Sequence, residues 1–226
     1  MINITSVSKT FETSEGPNHA LKNVSLQIDD GTCLVIGGEN GSGKSVLMSI
    51  IAGLEEADSG KVECSDRAGL VFQEAETQIL GETPREDIAF GPKNLGWKKE
   101  KIEEAVNSAL EKTGLTAKAD FPARFLSGGE KRRLAVACMI AMNLPIIILD
   151  EPTVGLDPKQ IIEIRNLIRN LGRTHTVIIS THILSEVQAV ADRTRTALRR
   201  ARYRTLVLGG GVSLNSRMRA VLSEVA

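Results

Sequence analysis

The chain has 226 residues, and its 28 Lys+Arg balance 28 Asp+Glu, so its formal net charge is zero. Neutrality argues against a dedicated nucleic-acid binder, which carries a basic excess, and no window reaches the ~18 consecutive apolar residues of a membrane span. Hydrophobic residues make up 42% and aromatic residues 3%, enough for a sizeable core in which each aromatic position is informative.

Met1-Ile2-Asn3-Ile4-Thr5 lacks the pattern of a signal peptide, and with no apolar window of span length the chain is expected to be soluble. Residues 2–7 alternate apolar and polar side chains and predict a strand. Phe11 follows, then a predicted loop over residues 13–18. Residues 20–28 alternate again, and Asp29-Asp30-Gly31 is a turn. Phe11 has two readings at this point: an aromatic face for an adenine ring, or an apolar strand end. Cys33, Cys64 and Cys138 lie in or near apolar runs without metal-ligand spacing, which predicts reduced core thiols.

Gly38-Glu39-Asn40-Gly41-Ser42-Gly43-Lys44-Ser45 satisfies G-x-x-x-x-G-K-[ST] at every fixed position. Residues 32–36 predict a buried strand before it, and residues 46–52, starting at Val46, predict a helix after it with Gly53 at the end. Strand, glycine-rich turn and helix form the setting in which this pattern cradles phosphate. Glycines let backbone N–H groups turn inward, and the helix start adds partial positive charge. Lys44 is expected to reach the β- and γ-phosphates of a nucleotide, and the Ser45 hydroxyl to ligate Mg²⁺.

Residues 61–64 and 68–72 predict short strands, the second ending at Gln73. Taken alone, Gln73 is either an Mg²⁺ or water contact or a surface amide. Thr83, Pro84 and Glu86 predict a helix start, with Gly91-Pro92 as its stop. Residues 98–113 predict an amphipathic helix with Ile102, Ala105, Val106, Ala109 and Leu110 on one face and Gly114 as its cap. Residues from about 74 to 125 therefore read as a helical insert between the halves of an α/β core. Leu126-Ser127-Gly128-Gly129-Glu130 precedes a predicted helix over 131–142, where it serves either as an anion cradle or as a capping turn. Lys131-Arg132-Arg133 reads as a solvated helix face or a basic patch.

Residues 145–149 form a β-branched run that predicts a strand buried on both faces of a parallel sheet. Asp150 and Glu151 stand at its carboxyl end, where open α/β sheets bind ligands. Asp150 is expected in the Mg²⁺ shell, and Glu151 as the base for a water attacking the γ-phosphate. Asp157 caps a helix striped by Ile161, Ile164, Leu167, Ile168 and Leu171. Residues 176–180 predict another buried strand, with Thr181-His182 at its end and a helix over 183–191 beyond. Taken alone, His182 is either a structural histidine or, at the carboxyl end of a core strand in line with a phosphate site, a γ-phosphate contact.

In order and spacing these motifs resemble the ATP-binding-cassette ATPases, the nucleotide-binding subunits of membrane transporters. The likeness covers residues 1 to about 192 and turns on Leu126-Ser127-Gly128-Gly129-Glu130, which separates this family from other phosphate-loop NTPases. It implies a P-loop NTPase α/β fold: a mostly parallel core sheet, an antiparallel β subdomain and the helical insert, as one domain over residues 1–226. It also implies head-to-tail pairing of two cassettes. Ser127, Gly128 and Gly129 of one would close on the ATP held by the other, with Asp157 linking the sites. Gln73 would sense the γ-phosphate and Mg²⁺, His182 would be the switch histidine, Glu151 the base, and Phe11 the adenine-stacking aromatic. Val71-Phe72-Gln73, Gln78-Ile79-Leu80 and Asp87-Ile88-Ala89-Phe90-Gly91-Pro92 with Asn94-Leu95-Gly96 are similar to the ATPases of energy-coupling-factor importers of vitamins or of cobalt and nickel ions.

The expected partners are thus a second cassette, identical or related, a transmembrane subunit, and a small membrane substrate-binding component. No nucleic acid is expected, and the location implied is the cytoplasmic face of the membrane. The contrasting class is a soluble cassette ATPase acting on DNA, ribosomes or cofactor assembly, whose coiled coils or paired cassettes this chain lacks. Residues from about 193 to 226 depart from the family pattern. Arg195, Arg199, Arg200 and Arg202 crowd the stretch before a segment resembling the family's late hairpin.

Overall fold

A computed structural model of the chain describes residues 1–182 and the backbone of residues 203–207. The helix predicted over 183–191, the arginines at 195–202 and the closing helix lie outside the described residues. The chain divides into two compact units, Met1–Leu70 with Pro145–Glu151 and Gly172–Ala226, and Val71–Leu144 with Pro152–Leu171.

The first unit opens on a long hairpin of β1 (Ile2–Thr13) and β2 (Gly16–Ile28), extended by β4 (Ser59–Cys64) into an antiparallel sheet of order β2-β1-β4. The loop predicted over 13–18 is paired instead: Phe11 faces Asn18, Glu12 faces Pro17 and Thr13 faces Gly16. The hairpin tip is polar on both sides, so it shows no alternation for a sequence reading to catch. Its closure comes from the Thr13 hydroxyl, which donates to the Gly16 carbonyl at 2.7 Å.

The second sheet has the order β5-β6-β7-β3-β8, from β3 (Cys33–Gly37), β5 (Ala68–Val71), β6 (Ile146–Leu149), β7 (Thr176–Thr181) and β8 (Tyr203–Val207). β3 pairs in parallel with β7 and with β8, and β6 with β7. Every residue of β3, β6 and β7 is buried, as unbroken apolar runs in a parallel sheet require. The first strand of the segment read as a late hairpin therefore joins the core sheet as its parallel edge. Helix α1 (Lys44–Ile51) presents Leu47, Met48, Ile50 and Ile51 to a core that also holds Ile2, Ile4, Leu34, Ile36, Ile148 and Ile178. One apolar cluster thus fixes the phosphate-loop helix to residues of both sheets.

In the second unit, helices α2 (Pro84–Asn94), α3 (Lys99–Thr113) and α4 (Gly128–Ala141) pack together through Ile88, Val106, Ala109, Leu110, Leu134 and Ala137. α5 (Pro158–Leu171) buries Ile164, Leu167 and Leu171 of its predicted stripe. Thr83 caps α2 as predicted, its hydroxyl accepting the Glu86 N–H at 3.3 Å. Gly91-Pro92 does not stop that helix, which runs on to Asn94. Pro92 removes one hydrogen bond near the last turn, and Leu95 N–H still reaches Gly91 O at 3.0 Å. Gly91 serves packing, since a Cβ there would collide with the Met142 side chain. α4 begins three residues earlier than predicted, with Ser127 as its N-cap.

Burial pushes the Cys33 thiol up to about 12 and the Cys138 thiol well above its ordinary value. All three cysteines are free thiols; Cys33 is buried in the core, and Cys64 and Cys138 are half-buried.

Candidate functional site

The phosphate loop leaves β3 at its carboxyl end, where Gly38 N–H bonds Thr181 O at 3.2 Å and so extends the β3–β7 pairing by one step. The loop enters α1 through Gly43, at φ 90°, where a side chain would run into the Ala20 carbonyl of β2. Only glycine satisfies that conformation and that clearance together. No side chain caps α1, and its first turn holds no acidic residue, so the positive end of the helix is not neutralised locally. The Ser42 hydroxyl is buried without a hydrogen-bond partner. An orphaned donor beside an uncapped helix start is the arrangement a phosphate group satisfies.

Lys44 is only 4% exposed, and its ammonium donates to Gly38 O and Glu39 O, each at 2.8 Å. The Glu151 carboxylate stands 3.6 Å away through Oε1. Its other oxygen, Oε2, lies 2.8 Å from His182 Nδ1. Glu151 therefore lies between the loop's cation and the histidine at the end of β7. Its backbone sits at φ 46°, a left-handed conformation costing ~1–2 kcal/mol for such a residue. Strain of this kind is tolerated where the side chain has a task. The Glu151 N–H is held by the Ser180 Oγ at 2.7 Å, and the Ser180 hydroxyl donates in turn to Asp150 Oδ1. One β7 serine thus orients both acidic residues at the end of β6. The sequence places Ser180 only as the last residue of the strand predicted over 176–180, because strand register alone brings it beside Asp150.

The first unit accordingly gathers Gly38, Glu39, Asn40, Gly41, Ser42, Gly43, Lys44, Ser45 and Val46 with Asp150, Glu151 and His182 at the carboxyl ends of three adjacent strands. Phe11 lies on β1, half-buried, with the Lys9 ammonium 5.2 Å from its ring centre. Hard oxygen donors, the exposed Ser45 hydroxyl and the Asp150 carboxylate, suit Mg²⁺.

The second unit carries the other expected residues. Ser127 forms a capping box with Glu130: its Oγ accepts the Glu130 N–H at 3.3 Å, and Glu130 Oε2 accepts the Ser127 N–H at 2.9 Å. Both readings of this stretch are therefore compatible, since a hydroxyl that accepts one bond still has its proton to donate. Asp157 caps α5 through Oδ1, which accepts the Lys159 and Gln160 N–H groups at 2.9 Å each. Gln73 is exposed, and its carbonyl accepts from Arg132. The triplet Lys131-Arg132-Arg133 is not a solvated face. Lys131 pairs with Glu76 at 2.7 Å, Arg133 with Glu163, and Arg132 is buried against main-chain carbonyls. The acceptors that draw these cations inward are remote in sequence and invisible to periodicity.

The ABC transporter family profile matches residues 21–154. The chain belongs to the ABC transporter family. It is an ABC ATPase, an ATP-binding cassette that hydrolyses ATP. An ABC transporter ATP-binding protein of Pyrococcus furiosus is 40% identical over 187 residues, 76% of this chain and 72% of that protein. The energy-coupling factor transporter ATP-binding protein EcfA1 of Methanospirillum hungatei is 40% identical over 195 residues, 80% of this chain and 70% of EcfA1. Among solved structures, CbiO1 of Clostridium perfringens, part of the ABC transporter complex CbiONQ, matches with a TM-score of 0.74 at 30% identity over 92% of this chain and 84% of its own. The dimeric cassette MJ0796, in a post-hydrolysis state bound to ADP and Pi, matches with a TM-score of 0.77 at 28% identity over 92% and 94%.

Proposed function

We propose that this ABC ATPase is the nucleotide-hydrolysing subunit of a membrane importer of the energy-coupling-factor type, whose cargo is a vitamin or a transition-metal ion such as cobalt or nickel. The observation that carries the reading is the 40% identity to a protein named for that transporter class, together with the CbiO1 match. Its partners are a second cassette, a transmembrane subunit and a small membrane substrate-binding component, and it works at the cytoplasmic face of the membrane.

In this reading the phosphate loop, Gly38 to Ser45 with Val46, binds the ATP phosphates, and Phe11 stacks on the adenine. Lys44 exchanges its carbonyl and Glu151 contacts for β- and γ-phosphate oxygens. Ser45, Asp150 and Gln73 hold Mg²⁺, which when bound neutralises charge on the β- and γ-phosphates. Glu151 takes the proton of a water attacking the γ-phosphate in line, and His182 keeps that carboxylate oriented. Ser127, Gly128 and Gly129 of a second cassette close over the γ-phosphate, and Asp157 joins the two sites.

Two experiments test this. Glu151→Gln is expected to keep ATP binding, to lower turnover by about 10²–10⁴-fold, and to trap an ATP-bound dimer on gel filtration; turnover at the wild-type rate sinks the base assignment. Gentle solubilisation of native membranes with a tagged chain is expected to recover a multi-span protein and a small apolar component. Recovery with ribosomes or nucleic acid alone leaves the ATPase standing and removes the importer.

A further inference from the structure

Three stretches of the second unit carry residues assigned above to ATP: Gln73, Ser127-Gly128-Gly129 and Asp157. They belong to separate parts of the chain, yet one side chain on the helix that Ser127 caps bonds the main chain at Gln73 and near Asp157. Arg132 is the fifth residue of α4, the helix that Ser127 caps. Its Nη2 donates to Gln73 O, and its Nη1 donates to Val154 O at 3.3 Å. Val154 stands three residues before Asp157. The neighbouring cations Lys131 and Arg133 end on the carboxylates of Glu76 and Glu163, whereas Arg132 turns to main-chain oxygen.

The burial of Arg132 runs against its charge. The residue is 6% exposed, and burial depresses its guanidinium below the ordinary arginine value. An apolar side chain of similar volume would leave the Gln73 and Val154 carbonyls without this donor. What an apolar side chain cannot do is hold two carbonyls in a fixed planar fork, and lysine, with one compact ammonium, cannot do so either.

We propose that Arg132 is a positioning residue for ATP hydrolysis. It ties the main chain at Gln73 and at Val154 to the helix behind Ser127, so that the sensing glutamine, the Ser-Gly-Gly turn and the Asp157 loop approach nucleotide as one body. The phosphate loop lies in the other unit, so turnover is expected to depend on this tie more than ATP binding does. The proposal rests on the role given to Gln73 above.

The test is steady-state ATPase of the full chain carrying Arg132→Met, Arg132→Lys, Gln73→Ala, and each Arg132 change combined with Gln73→Ala, with thermal unfolding as the control for folding. Arg132→Met is expected to lower kcat by about 10–100-fold, the scale of displacing a group by about 1 Å, with KM for ATP changed less than about threefold. Arg132→Lys is expected to fall between wild type and Arg132→Met. Each double variant is expected to be no slower than the slower of its single variants, because both changes remove one device. Wild-type kcat in a folded Arg132→Met overturns the proposal, as does a double variant whose loss is the product of the two single losses. If Arg132→Met does not fold, the same comparison is read on Arg132→Lys. Wild-type turnover by Gln73→Ala alone instead sinks the role of Gln73, and the route through it.

Discussion

Glu151 is a single residue held at some energetic cost. Its positive φ, its ion pair to Lys44 and its contact with His182 are consistent with a carboxylate aimed by several independent constraints. Ser180 is the one whose removal is most informative. Ser180→Ala leaves the buried Glu151 N–H and Asp150 Oδ1 each without this partner. It is expected to destabilise the fold by about 1–3 kcal/mol and to lower kcat more than it raises KM, read from denaturant unfolding and ATPase rates. A kcat equal to wild type would show that Glu151 holds its orientation without the serine. At this scale the sequence was legible wherever chemistry demands a residue type at fixed spacing: Lys44, Ser45, Asp150, Glu151 and His182. Ser180 and Arg132 were not legible, because each acts on atoms brought near only by strand register or helix packing.

Among the elements, α4 ties local sequence signals to function most directly. Ser127 and Glu130 form a reciprocal cap, and Lys118 pairs with Glu130 Oε1 at 2.6 Å. Burial works to raise the Glu130 carboxyl, but the Lys118 bond and the Ser127 N–H outweigh it, and the folded value falls below the ordinary 4.5. A depressed carboxyl contributes stability that is fully present above its unfolded value and is lost as pH falls through the folded value. Glu130→Gln is therefore expected to be less stable than wild type at about pH 7 and to converge with it below about pH 4. Chemical denaturation at the two pH values checks this, and a gap that does not close at low pH would mean that Glu130 acts through packing. α1 makes a contrasting case. Its start carries neither a side-chain cap nor an acidic residue, and its place rests on apolar burial. Leu47→Ala is expected to cost about 2–5 kcal/mol, measurable as a lowered unfolding midpoint, because Leu47 lies wholly within the shared core.

For the whole molecule, the family assignment carries a consequence that a single chain cannot display. Five of the residues expected to touch ATP, Gln73, Ser127, Gly128, Gly129 and Asp157, lie in a unit other than the one bearing the phosphate loop. If cassettes pair head to tail, ATP is expected to convert the Glu151→Gln chain from monomer to dimer, and Ser127→Arg to block that conversion while leaving nucleotide binding in place. Light scattering with and without ATP reads both, and a Ser127→Arg chain that still dimerises would place the contact elsewhere. The sequence alone determined the phosphate loop, the parallel core strands and the acidic strand end. These follow from glycine conformation, β-branched burial and fixed spacing, all local properties of the chain. Tertiary structure alone decided that the hairpin tip pairs through residues 13–18, that α2 continues past Pro92, and that Arg132 turns inward. Each of those outcomes depends on a contact that residue pattern does not encode: the facing strand of the hairpin, the Leu95 N–H that still reaches Gly91 O, or the carbonyls of Gln73 and Val154. No local pattern records such a contact.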